Sequence, residues 1–124
     1  MPKTVLHIED DPSQQKLVRV VLESLAKLVV QTAADGFEAV EMALENAPHL
    51  VLLDEGLPGM SGSATYTALR KVAGLHGVPI IFLTGATDPR THDSLFGLGA
   101  HDILVKPCRP QLIVNAVQIA LGGH

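Results

Sequence analysis

The 124-residue chain has one cysteine, no long apolar run, no cluster of basic residues and no paired histidines. The single thiol, Cys108, excludes an internal disulfide and fits a reducing compartment. No apolar stretch approaches the roughly 18 residues of a membrane-spanning helix. Met1-Pro2-Lys3-Thr4 runs straight into a strand-like segment, without a signal-peptide pattern. Lys and Arg number 9 against 13 Asp and Glu, for a net charge of −4. With no basic block, nucleic-acid binding by this chain is not expected, because phosphate affinity needs clustered cations. The histidines, His7, His49, His76, His92, His101 and His124, lack the spacing of a transition-metal site and read as surface or strand residues. Repeats and low-complexity segments are also missing. What remains is a cytoplasmic chain, 47% hydrophobic, that can fill one core as a single domain, 1–124. Gly122-Gly123-His124 reads as a frayed tail or the start of a linker.

Short β-rich runs alternate with longer stretches of helical spacing. Asp11-Pro12 is an N-cap followed by a proline suited to the first helical position. Leu17, Val20, Val21, Ser24, Leu25 and Leu28 then recur at spacings of three and four. Val29–Thr32 is a second strand, and Asp35-Gly36 turns into a helix with a face of Phe37, Val40 and Leu44. Ala64, Ala68, Leu69 and Val72 form a third stripe that Gly74 ends. Val78–Leu83 is the fourth strand. Asp88-Pro89 opens a helix through Leu95 and Leu98. Ile103–Val105 is the fifth strand, and Pro110 opens a last helix with a face of Leu112, Ala116, Val117 and Ala120. The order is α/β, (βα) repeated five times, which implies a parallel sheet covered on both sides and doubly wound by right-handed crossovers.

Four strands end in polar residues. Val5–Ile8 ends in Glu9-Asp10-Asp11, Leu50–Leu53 in Asp54, Ile80–Leu83 in Thr84 and Ile103–Val105 in Lys106-Pro107. Ligands on such sheets bind beyond the carboxyl ends of the strands. Glu9 and Asp10 brought near Asp54 repel one another unless a cation joins them, and Mg²⁺ suits oxygen ligands of this kind. A carboxylate such as Asp54 can attack phosphorus to give an aspartyl phosphate. The metal and Lys106 would offset charge on the transferring group, and Thr84 could donate a hydrogen bond to it. Taken alone, Glu9-Asp10 reads first as a helix cap and Lys106-Pro107 as a loop. It is their conjunction at separate strand ends that points to chemistry.

That conjunction resembles the receiver domain of two-component response regulators, over essentially the whole chain. The matching residues are Glu9-Asp10, Asp54 with Pro58 and Gly62, Thr84, Lys106-Pro107, Gly99-Ala100 and Asp35-Gly36. The resemblance implies a flavodoxin-like sheet in strand order 2-1-3-4-5. It implies that Asp54 accepts a phosphoryl group from a sensor histidine kinase or a histidine phosphotransfer protein. It further implies Mg²⁺ on Asp10, Asp54 and the backbone carbonyl of Gly56, with Glu9 acting largely through water. Lys106 and Thr84 would contact the phosphoryl oxygens, assisted by the backbone N–H groups of Glu55 and Gly85. Such a protein promotes its own phosphorylation and dephosphorylation but is not a turnover enzyme on a small substrate. Its output goes to a downstream protein partner or a fused effector. The face built from the fourth helix, fifth strand and fifth helix carries the signal and can pair two copies.

The chain departs from the family at three points. Ile103 takes the switch position where the family often has Tyr or Phe. Gly56 and Ala86 replace larger or polar side chains, and Gly85 replaces a small residue that is commonly Ala. Cys108, where Phe is frequent, reads as a small packing residue. Two rival readings stay open. One is a receiver-like interaction module that is never phosphorylated. The other is a Mg²⁺-dependent phosphohydrolase, which would need a substrate cap or separate general acid that 124 residues hardly accommodate.

Overall fold

A computed structural model describes residues 2–122. The tail expectation at Gly123 and His124 lies outside the described residues. Five strands, β1 (Thr4–Ile8), β2 (Val29–Ala33), β3 (Leu50–Asp54), β4 (Ile80–Thr84) and β5 (Asp102–Val105), alternate with five helices. These are α1 (Pro12–Ala26), α2 (Gly36–Glu45), α3 (Gly62–Arg70), α4 (Pro89–Leu98) and α5 (Pro110–Ala120). All strand pairings are parallel, and the sheet order is β2-β1-β3-β4-β5. The chain reverses direction across the sheet between β1 and β3, so the carboxyl ends of these two strands flank the switch point.

Local signals start the helices where the sequence places them. Asp11 accepts from the Ser13 N–H at 2.9 Å, Asp35 from Glu38 at 2.8 Å, Ser61 from Ala64 at 3.1 Å and Asp88 from Thr91 at 2.9 Å. Pro12, Pro89 and Pro110 occupy first-turn positions, where a missing N–H costs nothing. Gly99 ends α4 at φ +116°, and a Cβ there would meet the Tyr66 hydroxyl at 2.5 Å. Glycine fits that left-handed, crowded position without strain.

Alternation along the strands splits the core into two layers. Leu6, Ile8, Leu53 and Phe82 pack with Ala39, Ala43, Tyr66, Leu69 and Leu95 of α2, α3 and α4. Val5, Leu50, Leu52 and Ile81 pack with Val18, Leu22, Ile113, Val114 and Val117 of α1 and α5.

Leu69, Leu95 and Val117 are buried as the spacing predicts, but other parts of the helix faces are turned from those expected. On α1 the buried residues are Val18 and Leu22, while Leu17, Val20 and Leu25 are exposed. Apolar residues cover most of this helix's circumference, so two stripes fit the spacing equally well. On α2 the small Ala39 and Ala43 face the sheet and the large Phe37 and Leu44 face solvent. Close approach of a helix to a sheet favours small side chains at the contact. Ile113 and Val114 replace Leu112 as the buried residues of α5. The third helix stops at Arg70, and Gly74 lies in a separate 3₁₀ turn, Ala73–Leu75. The Arg70 guanidinium stabilises that turn by donating to the Leu75 and Val78 carbonyls at 2.9 and 2.8 Å. β4 starts at Ile80 rather than Val78, after Pro79, which has no N–H to give the ladder.

Candidate functional site

The parallel register sets Ile8 beside Leu53, Asp54 beside Leu83 and Thr84 beside Val105. The residues at or just past those ends therefore gather at one edge. Carboxylate oxygens of Glu9, Asp10 and Asp54 lie within 4.8 Å of one another. Glu9 and Asp54 are buried and Asp10 is exposed. The Lys106 ammonium donates to Asp54 Oδ2 at 2.7 Å and lies 3.5 Å from Glu9 Oε1. Lys106 is aimed by its backbone, whose N–H bonds the Thr84 carbonyl at 2.8 Å; the Lys106–Pro107 peptide bond is cis. The cap reading of Glu9-Asp10 fails, because Asp11 caps α1. The acid pair sits in the loop before it, held by the Gln15 side-chain amide on the Glu9 carbonyl at 2.6 Å.

Three carboxylates gather here, and the one ammonium pairs with two of them. Burial first, and the Asp54 carboxylate second, push the Glu9 carboxyl up to about 7. Burial alone would lower the Lys106 ammonium, but the Asp54 and Glu9 carboxylates outweigh it and hold it above its ordinary value. The charge excess and the all-oxygen donor set fit a hard divalent cation.

Asp54 is gripped from two sides, by Lys106 on Oδ2 and by the Gly56 N–H on Oδ1 at 2.9 Å. This corrects one expectation. The Glu55 N–H does not point into the site; it donates to the Leu83 carbonyl at 2.9 Å, continuing the β3–β4 ladder. Gly56 supplies the N–H that faces the carboxylate. Gly62 brings the start of α3 against this backbone. A Cβ on it would meet Glu55 Cα at 2.6 Å and the Asp54 and Glu55 carbonyls at 3.0 Å. Thr84 is buried at the end of β4, but its hydroxyl donates to the Glu55 carboxylate and accepts from the Ala86 N–H at 3.0 Å. Gly85 faces open space where a Cβ would sit. Ile103 pairs with Phe82 in register and packs, half-buried, on the α2–α3–α4 side of the core.

The profile of the response regulator receiver domain family matches residues 5–118. The chain belongs to the response regulator receiver domain family. This receiver domain is 38% identical over 125 residues to the DNA-binding response regulator MtrA of Mycolicibacterium smegmatis, covering 98% of this chain and 51% of that protein. It is 33% identical over 121 residues to the transcriptional regulatory protein SrrA of Staphylococcus aureus, covering 98% of this chain and 48% of that one. The chain thus spans about half the length of these curated relatives. The chemotaxis response regulator CheY4 of Vibrio cholerae superposes with a TM-score of 0.91 at 30% identity, over 97% of this chain and 99% of that one. The receiver domain of the sensor histidine kinase PA1611 of Pseudomonas aeruginosa superposes with a TM-score of 0.88 at 28% identity, over 99% and 100%; that structure has a magnesium ion coordinated in its active-site cleft. The order 2-1-3-4-5 and the five helices are those of the flavodoxin-like chemotaxis-regulator fold. As a receiver domain the chain is a signalling module of two-component systems rather than a conventional enzyme. No helix among the described residues is long and apolar enough to cross a membrane.

Two side chains next to the site have surroundings that the spacing along the chain does not reveal. His7 is fully buried on β1, with neither ring nitrogen hydrogen-bonded. Burial drives its pKa down to about 4, with Asp54 acting against the shift and Lys106 and Arg19 adding to it. It lines a cavity of about 470 Å³ between α1 and α5, with Glu9, Lys106 and Cys108. The other is the Glu55 side chain. An acid directly after Asp54 was the available signal, but only the structure shows that it reaches Thr84.

Proposed function

We propose that Asp54 is the phosphoacceptor of a response regulator. The observation that carries this is the buried Asp54 carboxylate, held between the Lys106 ammonium and the Gly56 N–H beside two further acids. An Asp54 oxygen attacks the phosphorus of a phosphohistidine on a histidine kinase or phosphotransfer protein. The P–O bond forms as the P–N bond breaks, and the electron pair stays on the imidazole nitrogen, which takes a proton. Lys106 moves its donors from Asp54 to the phosphoryl oxygens, and the Thr84 hydroxyl and Gly85 N–H add hydrogen bonds. Asp10, Asp54 and the Gly56 carbonyl would hold Mg²⁺, with Glu9 acting through water, and the bound ion would offset charge on the transferring group. The same groups promote phosphorylation by small donors and later hydrolysis.

The chain acts as one receiver unit in the cytoplasm, and its output is a change of contacts with a protein partner or fused effector. The large apolar residues exposed on α4 and α5, Phe96, Leu98, Leu112 and Ile119, support pairing of two copies through the α4–β5–α5 face.

The test is intact mass after incubation with Mg²⁺ and acetyl phosphate. The wild type should gain one labile phosphoryl group, and Asp54→Asn should gain none. A wild type that stays unmodified with every small donor and with a phosphorylated histidine kinase would overturn the reading. Turnover of many phosphate esters without an adduct would point to a phosphohydrolase instead.

A further inference from the structure

We propose that Glu55 is a positioning residue of this site: its carboxylate holds the single proton of the Thr84 hydroxyl, and a phosphoryl group on Asp54 has to take that proton from it. The inference rests on the reading of Asp54 as the phosphoacceptor.

A threonine hydroxyl has one hydrogen to donate. Here that hydrogen goes to Glu55 Oε1, and the Ala86 N–H occupies the acceptor side at 3.0 Å. Phosphoryl oxygens at neutral pH only accept. The phosphoryl group and the Glu55 carboxylate therefore compete for one proton, and both cannot be satisfied. Thr84 is buried, so water does not readily replace either partner.

The exchange is confined to the Glu55 side chain. Its N–H is tied to the Leu83 carbonyl at 2.9 Å, and its carbonyl accepts from the Gly62 N–H at 3.2 Å. Gly62 also lies against its Cα. The backbone is clamped, but Glu55 is half-exposed, which leaves the side chain a path outward. Negative charge arriving on Asp54 repels the carboxylate along that path. Phosphorylation then turns Thr84 inward and releases an acid at the β3–α3 edge, a structural change that needs no aromatic ring at Ile103.

The test is binding of beryllofluoride, a non-covalent phosphoryl mimic, in the presence of Mg²⁺, followed through the amide resonances of Gly85 and Ala86. Wild type, Glu55→Gln, Glu55→Ala, Thr84→Ala and the Glu55→Ala/Thr84→Ala double variant are compared. Freeing one hydrogen-bonded proton should tighten binding roughly 3- to 10-fold in Glu55→Ala. Glu55→Gln, which keeps an acceptor oxygen without the charge, should fall between it and the wild type. In the Thr84→Ala background the Glu55→Ala effect should shrink to less than about 2-fold, the non-additivity of residues that act through each other. Equal binding by wild type and both Glu55 variants overturns the proposal. An equal gain in both backgrounds overturns it too, because Glu55 would then act by charge alone. Absence of binding by the wild type removes the phosphoacceptor reading and this proposal together; binding without a Glu55 effect removes only this one.

Discussion

Asp54 and Lys106 meet at 2.7 Å, but strands in different surroundings deliver them. Every residue of β3 is buried, whereas every residue of β5 is half-exposed. β3 lies in the middle of the sheet between β1 and β4, and β5 forms its edge. The comparison separates two duties. The acceptor carboxylate stands at the end of a fully buried central strand, where its position costs nothing at the moment of reaction. The lysine and Ile103 belong to the less tightly packed side. Low local packing marks the segments that rearrange at small cost.

The largest effect should come from the centre. Leu52→Ala, which empties a fully buried site, should cost about 2–5 kcal/mol. Leu104→Ala on half-exposed β5 should cost about 1–2 kcal/mol, in keeping with its smaller burial. Denaturant midpoints at constant slope measure both, and equal losses would break the comparison.

His7 sharpens it, being a polar group within that rigid centre. Both ring nitrogens lack partners, so His7→Val should stabilise the protein at pH 7 by about 1–3 kcal/mol. Its pKa is lowered from 6.5 to about 4. The stability tied to keeping it neutral is complete above pH 6.5 and is lost as pH falls through 4, up to about 3 kcal/mol. Glu9 works the other way. Its carboxyl is raised from 4.5 to about 7, so its contribution is complete below pH 4.5 and lost as pH rises through 7. The wild-type profile is therefore blunted, and the gap between wild type and His7→Val isolates the histidine. That gap should widen from pH 6.5 to 4 in equilibrium unfolding; a constant gap would contradict the burial account.

A smaller effect belongs to the α4 side. Gly99→Ala forces an alanine into φ +116° and against the Tyr66 hydroxyl. It should cost about 1–2 kcal/mol, read as a drop in thermal midpoint. No loss would mean that the end of α4 moves aside freely, and that the edge is looser than its packing suggests.

Much of this was legible in the sequence. Apolar runs ending in Glu9, Asp54, Thr84 and Lys106 located the strand ends, and cap-then-proline pairs located α1 and α4. Helix faces were legible only in part: Leu69, Leu95 and Val117 are buried as read, but a stripe of large residues such as Phe37 and Leu44 competes with the small Ala39 and Ala43 that helix–sheet contact selects. The partners of individual polar groups were not legible. The Glu55 N–H was expected in the site, yet the β3–β4 ladder claims it. The Thr84 hydroxyl was expected free for a phosphoryl oxygen, yet an acid from the loop after the neighbouring strand β3 holds it. Spacing along a strand says which side chains share an edge, not which of them bond to each other.

The most direct test of the central claim is chemical trapping of the phosphorylated residue. Borohydride reduces an aspartyl phosphate to homoserine, and peptide mass spectrometry locates the change. After phosphorylation in Mg²⁺, homoserine should appear at position 54 and nowhere else. Homoserine at position 10, or stable phosphate on Thr84 or a histidine with Asp54 intact, would contradict the account.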